Sequence, residues 1–205
     1  LSLSGLSLLV FLKLLDSVIE KESVVAIDSI ITNWIYAIRT PFLNTLMKII
    51  TDLASAGSIA VFLLIVFGVL LVVRKQKYIL VMLISSVCSY AFVSVIKELI
   101  KRPRPAIAGA LVVETSFSFP SGHTMIAVAV YGLLFYFLAR ISKPVCLKIF
   151  LLILGCILVL AIGFSRIYLG VHWSSDVFAS LLLGISWLSL LIWYLERRKL
   201  LKRLP

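Results

Sequence analysis

Residues 147–176 read LKIFLLILGCILVLAIGFSRIYLGVHWSSD. From Leu147 to Phe164 the stretch carries one charge, Lys148, near its start. A helix that crosses a bilayer needs about 20 mostly apolar residues, with about 17 tolerated. This run meets that need and then ends abruptly on Ser165-Arg166. A polar loop follows, Ser165 to Asp176, before the next apolar run, Val177–Leu195. The alternation of a spanning run, a polar rim and a second spanning run sets the fold class.

Composition extends the pattern to the whole chain. Hydrophobic residues make up 62% of its 205 positions and charged residues 14%, and the mean hydropathy is +1.15. No soluble domain of this length buries so much apolar surface, so the chain belongs in lipid. Further runs of membrane length are Leu1–Val18 (carrying Lys13 and Asp16), Ser55–Val73, Tyr78–Ile96 and Thr124–Ala139. The expectation is an all-α polytopic membrane protein, a bundle of six transmembrane helices forming one domain over 1–205, with no internal repeat. Between the first and second runs, Ser23–Ala54 is apolar but punctuated by Asp28, Asn33, Arg39, Pro41 and Lys48. That suits interfacial helices, with Trp34 and Tyr36 at headgroup depth. The first run leads into DSVIEKES, which lacks a small-residue cleavage site, so it reads as a retained helix. The chain starts on Leu, and the natural N-terminus is expected upstream. Cys88, Cys146 and Cys156 stand singly with no CxxC pair and read as buried small hydrophobes.

Basic residues orient the bundle. Placing both termini inside gathers Arg74, Lys75, Lys77, Arg140, Lys143, Lys148 and the tail residues Arg197, Arg198, Lys199, Lys202 and Arg203 on one side, with Glu196 their only acid. This follows the positive-inside rule, so both termini are expected in the cytoplasm. One segment breaks it: Lys97–Pro105, KELIKRPRP, puts a cluster of cations on the outer face. The PSGH stretch, Pro120–His123, and the loop Ser165–Asp176 fall on that same face.

The unusual polar residues therefore converge at the outer ends of the third to sixth spans. Lys97, Arg104 and Arg166 are long-armed cations suited to a phosphate dianion, and arginine adds two-pronged hydrogen bonding to its oxygens. Ser121 can donate a further bond, and Gly122 leaves room for an anion at the start of a helix whose first amides and dipole favour it. His172 and Asp176, spaced i,i+4, lie on one face if helical. A carboxylate on one ring nitrogen fixes the tautomer and leaves the other nitrogen free to attack. His123 could protonate the leaving alkoxide and then deprotonate water. Both histidines of the chain are in this set. No metal or other cofactor is required, and two histidines with scattered cysteines make no zinc cluster. Lys101 and Arg102 read as surface or headgroup-facing cations, Glu98 and Glu114 as solvated, and Tyr168 and Trp173 as interfacial anchors.

Three motifs, Lys97-x6-Arg104-Pro105, Pro120-Ser121-Gly122-His123 and Ser165-Arg166-x5-His172-x3-Asp176, resemble the signature motifs of the type 2 phosphatidic acid phosphatases in residue type, spacing and order. The match spans a motif core of 97–176. The resemblance implies a metal-independent membrane phosphatase working through a phosphohistidine. His172 would be the nucleophile, Asp176 its partner and His123 the acid and base. Lys97, Arg104, Ser121, Gly122 and Arg166 would hold the phosphate. The implied partners are the bilayer and a lipid phosphate or diphosphate: phosphatidate, phosphatidylglycerol phosphate or undecaprenyl diphosphate. Nucleic acid has no place among them. The location is the plasma membrane, with the site extracytoplasmic. The similar vanadate-dependent haloperoxidases are soluble and fit less well. A non-catalytic lipid-phosphate transporter or anion-binding protein would explain the outer cations. It would leave the spacing of His172 and Asp176 opposite His123 unexplained, and a transporter places its charges nearer the midplane.

Overall fold

The computed structural model describes residues 1–20, 23–105 and 110–198, which form helices and connecting turns with no strand among them. The tail cations Lys199, Lys202 and Arg203 lie outside the described residues. Helix α1 (Ser2–Ile19) lies along the last helix, α9 (Ser174–Arg197). The two are joined by reciprocal bonds, Ser4 Oγ donating to the Ser186 carbonyl at 2.9 Å and Ser186 Oγ to the Ser4 carbonyl at 3.0 Å. Small hydroxyl residues let membrane helices approach closely and bond across the contact.

Helices α2 (Ser23–Ala37) and α3 (Pro41–Asp52) fill the segment between the first two spans. At fifteen and twelve residues they are too short to cross. Trp34 is exposed, whereas Tyr36 turns inward. Thr40 caps α3 with Pro41 at its first position, the pairing that starts helices. Helix α3 meets α4 (Ala56–Val72) at a 51° bend, and Ser55 caps α4. Helices α5 (Gln76–Ile100), α8 (Val145–Tyr168) and α9 span comfortably, as does the rod Gly122–Ile141. That rod is α6 (Gly122–Ala127), a π-helical stretch at Val128–Gly132 and α7 (Leu133–Ile141). Among the described residues five helices are thus long and apolar enough to cross a membrane, or six if the bent α3–α4 pair is one span.

The rod is the centre of the bundle. Met125, Ala127, Val130 and Leu133 on it are wholly buried, while α4 and α8 turn Leu64, Val72, Ile153 and Ile157 outward. An outward apolar belt is the surface a bilayer covers. The π stretch frees carbonyls that neighbours satisfy: Ser85 Oγ on α5 donates to the Ala129 carbonyl at 3.1 Å. Tyr131 Oη reaches the Leu53 carbonyl at the α3–α4 bend, at 2.6 Å. The three cysteines are unpaired, and Cys146 and Cys156 are exposed rather than buried. Both sit on α8, where an apolar side chain is equally at home facing lipid.

The third to sixth spans run a little further into the polar rim than hydropathy alone predicts. Helix α8 carries Ser165 and Arg166 in its last turn instead of releasing them to a loop. Helix α5 carries Lys97, and α9 begins before Asp176. Hydropathy stops at the first charge, whereas the backbone continues wherever the side chain finds a partner.

Candidate active site

The site is built at the rim where α5, α8 and α9 end or begin, closed by residues 101–105 and 110–121 of the segment that follows α5. The segment leaves α5 through Lys101 (φ 49°), an exposed left-handed residue. Its far end is pinned by Lys97 and Arg104. Lys97 Nζ donates to the Phe117 carbonyl and lies 3.3 Å from Ser116 Oγ. Arg104 Nε donates to the Ser116 carbonyl at 2.7 Å, and Nη1 to the Val171 carbonyl at 2.5 Å. Arg104 therefore ties this segment to the α8–α9 turn.

That turn places the histidine. Gly170 has φ 76°, and a Cβ there would stand 2.7 Å from Tyr36 Oη and 3.0 Å from Arg39 Nη2. Only glycine suits both the backbone and the space. Arg39 at the end of α2 donates through Nε to the Tyr168 carbonyl at 3.0 Å. Tyr168 is fully buried, its hydroxyl donating to Asn44 at 2.9 Å, so it braces the turn and does not anchor at headgroups. Trp173 likewise donates through Nε1 to the Pro103 carbonyl at 3.0 Å.

His172 precedes α9, so its pairing with Asp176 does not use a helical face. Asp176 occupies the third position of α9 and reaches back to accept the Trp173 N–H at 2.9 Å. This turn brings His172 Nδ1 to 3.4 Å from Asp176 Oδ2, close for an ion pair but off the line of a hydrogen bond. The other ring nitrogen, Nε2, faces Arg104 Nη1 at 3.4 Å. His172 is 2% exposed. Burial pushes its imidazole down to about 4, with Asp176 pulling the other way. The ring is neutral at pH 7.

Arg166 is buried too, its Nη1 donating to Thr51 Oγ1 at 2.7 Å and its Nη2 to the Glu114 carboxylate. Glu114 also lies 3.9 Å from Arg104. It is no solvated bystander: two site arginines flank it. Burial acts to raise its carboxyl, but Arg166, with His123 and Arg104, outweighs that and the net shift is downward. His123 is half-buried and shares the electrostatic field of Arg166, Glu114, His172 and Arg104. Ser121 is buried, accepting from Thr124 Oγ1 at 3.0 Å. A Cβ on Gly122 would meet only Val93 Cγ1 at 3.6 Å, an ordinary contact, so packing does not demand glycine there.

Lys97, Arg104, Arg166, His123, His172 and Asp176 thus share one rim, with Ser121 and Gly122 at the head of the rod. Arg102 is the clearest departure from expectation. It is buried, bonding Asp176 Oδ1 at 2.5 Å and Asp28 Oδ2 at 2.8 Å. Thr51 and Asp28 join the site from outside the three motifs. The available signal was an acid in the apolar helix α2. Among the described residues no group of three or more His, Cys, Asp or Glu side chains could hold a metal ion.

A cavity of about 740 Å³ opens between α4 and α5. Leu63, Leu83 and Val87 line its apolar end, and Lys97, Gly122 and His123 its polar end.

Residues 75–200 match the family model of the PAP2 superfamily. The chain is 38% identical over 183 residues to phosphatidylglycerophosphatase B of Bacillus subtilis, covering 87% of this chain and 88% of that protein. It is 33% identical over 90 residues to an undecaprenyl-diphosphatase of Sulfolobus acidocaldarius, covering 44% and 39%. A crystal structure of a transmembrane PAP2 type phosphatidylglycerolphosphate phosphatase from Bacillus subtilis superposes with a TM-score of 0.90 at 32% identity, covering 96% of this chain and 98% of that one.

Proposed function

Because the chain belongs to the PAP2 superfamily, we propose that it is an integral-membrane phosphatase. It removes the terminal phosphate of a lipid phosphate or diphosphate at the extracytoplasmic face, through a phosphohistidine on His172. The observation that carries the reading is the orientation of that ring. Nδ1 is turned to Asp176, and Nε2 is turned to Arg104.

In the first step His172 Nε2 attacks phosphorus, forming the N–P bond as the bond to the leaving oxygen breaks. His123 gives that oxygen its proton. Asp176 balances the positive charge that develops on the substituted ring. In the second step His123 takes a proton from water, whose oxygen displaces the histidine and releases inorganic phosphate. Lys97, Arg104 and Arg166, with Ser121 and the first amides of α6, neutralise the phosphoryl oxygens throughout. The charge stabilisation comes from these cations, so the reaction needs no metal. Gly122, which packing does not require, leaves the cradle open to the anion.

The substrate is a membrane lipid. The α4–α5 cavity joins an apolar wall to the phosphate cradle, which suits a tail that stays among the helices while its phosphate reaches the rim. The name of the Bacillus subtilis relative suggests phosphatidylglycerol phosphate and that of the Sulfolobus relative undecaprenyl diphosphate. The outward site fits the latter, which emerges outside during wall synthesis.

The test is phosphate release by the purified protein in EDTA from these two lipids and phosphatidate, with His172→Ala as control. Release by wild type alone, with the acid-labile phosphohistidine on His172 preserved by alkaline denaturation, is the expected result. A requirement for divalent metal, or wild-type rates in His172→Ala, would overturn the mechanism. A folded protein inert to every lipid would point instead to lipid-phosphate transport.

A further inference from the structure

Behind Asp176 the polar network continues to a helix that carries none of the phosphate cradle. Asp28, on α2, is 1% exposed. Its carboxylate accepts from Arg102 Nη2 at 2.8 Å, Ser174 Oγ at 2.5 Å, the Ser175 N–H at 2.9 Å and Ser175 Oγ at 2.5 Å. Ser174 and Ser175 are the first two residues of α9. The residue that should cap this helix is Trp173, which has no side-chain oxygen to accept from the free N–H groups. Asp28 supplies that acceptor from another helix.

Arg102 completes the link. Its Nη1 donates to Asp176 Oδ1 at 2.5 Å and to Ser175 Oγ at 2.7 Å, while its Nη2 holds Asp28. Ser118 Oγ and the Trp173 N–H take the remaining Oδ2 of Asp176, the oxygen that faces His172. We propose that Asp28 and Arg102 are positioning residues for His172. Asp28 holds Arg102 and the first turn of α9, these hold Asp176, and Asp176 orients the imidazole. The proposal rests on the reading of His172 as the nucleophile.

The charges explain why two acids flank one arginine. Asp176 with Arg102 alone is a neutral pair, and it would offer little to the cationic ring formed on attack. Asp28 balances Arg102, so the buried trio keeps one net negative charge on the side of His172. In low dielectric such a charge acts strongly and is weakly screened. The trio is also costly to bury, and its hydrogen bonds must all be made for it to persist. Asp28 and Arg102 line no part of the α4–α5 cavity. Their effect should therefore fall on turnover and spare lipid binding.

The experiment uses the full chain in detergent with 15N-histidine, the His172 resonances being identified by their loss in His172→Ala. Asp28→Asn should lower kcat at least tenfold, leave KM within about twofold, and move the His172 ring resonances away from the Nδ1–H tautomer. Asp28→Glu, which restores the charge, should recover part of kcat. A folded Asp28→Asn with wild-type kcat, or one whose His172 resonances are unmoved, overturns the proposal. If Asp28→Asn does not fold, Arg102→Lys decides in the same way, since lysine cannot bridge both carboxylates as arginine does. If wild type releases no phosphate from any lipid, the phosphatase reading fails separately. The ring resonances then still settle whether Asp28 orients His172.

Discussion

At the scale of the residue, the proposed reaction turns on a buried histidine that would have to stay neutral to attack. Burial lowers the His172 imidazole to about 4, and Asp176 restores only part of the loss. In the substrate-free protein the ring should therefore show no titration as pH falls through 6.5, and protonate only near 4 by NMR. A midpoint near 6.5 would mean a solvated ring. The sign for stability follows: an unfolded chain takes up this proton near 6.5, the folded one near 4, so His172 weakens the fold as pH drops across that window. Arg166 is the cation most fully committed to the site, buried against Thr51 and Glu114. Arg166→Ala should lower kcat/KM by roughly a hundredfold or more, about 3 kcal/mol, as loss of an oxyanion donor does. An unchanged rate would remove it from the reaction. Glu114 sits where an anion is expected, so Glu114→Gln should tighten inhibition by inorganic phosphate by about tenfold, one like charge having gone. Weaker inhibition would show that Glu114 serves to hold Arg166 in place. Lys97 and Arg104 were legible because they defied the charge rule, and Arg166 because of its place in the loop that carries His172 and Asp176. Arg102 and Glu114 were not, because a charge's partner is set by three-dimensional neighbours. Nothing in KELIKRPRP marks Arg102 as the inward one.

At the scale of the element, the helices were legible in their apolar runs, and their ends were not. Arg166 continues α8 because Thr51 and Glu114 satisfy it, and hydropathy has no term for a distant threonine. The closeness of the helices is also invisible to hydropathy and is carried by small residues. A Cβ on Gly184 of α9 would stand 2.9 Å from Val128, and one on Gly155 of α8 would stand 2.8 Å from Phe135. Gly163 is the most telling: its Cβ would meet Val177 Cγ1 at 2.9 Å and Thr124 Cγ2 at 3.5 Å. Val177 adjoins Asp176, and Thr124 adjoins His123. Gly163→Ala should therefore displace the start of α9, which carries Asp176, and crowd the head of the rod beside His123, as well as overpack the bundle. Overpacking costs about 1–3 kcal/mol, and a misplacement of about 1 Å can cost about a hundredfold in rate. The expected outcome is a loss of kcat out of proportion to the loss in thermal midpoint. Gly184→Ala, remote from the histidines, should lose stability while keeping more of its rate. Equal behaviour of the two variants would mean that Gly163 is only a packing residue.

At the scale of the whole molecule, a formal net charge of +11 is arranged so that position relative to the membrane and chemistry conflict at one rim. Arg74, Lys75, Lys77, Arg140, Lys143 and Lys148 collect at the end of the bundle opposite the site, where the positive-inside rule places the cytoplasm. Lys97, Arg104 and Arg166 lie at the other end, and the phosphate they would hold is the reason such a departure persists. The chain carries a probe of this orientation. Cys146 is exposed in the first turn of α8, beside Lys148, and Val113 on the site side is 92% exposed. In intact cells a membrane-impermeant thiol reagent should label Val113→Cys in a Cys146→Ser background and spare Cys146 in the wild type. In inverted vesicles the pattern should reverse. Labelling of Cys146 from outside would place the phosphate cradle in the cytoplasm, where phosphatidylglycerol phosphate would be at hand and an outward-presented diphosphate carrier would not. Orientation thus bears on substrate as well as topology, because a lipid that uses the α4–α5 cavity would have to come from the leaflet at that cavity's depth.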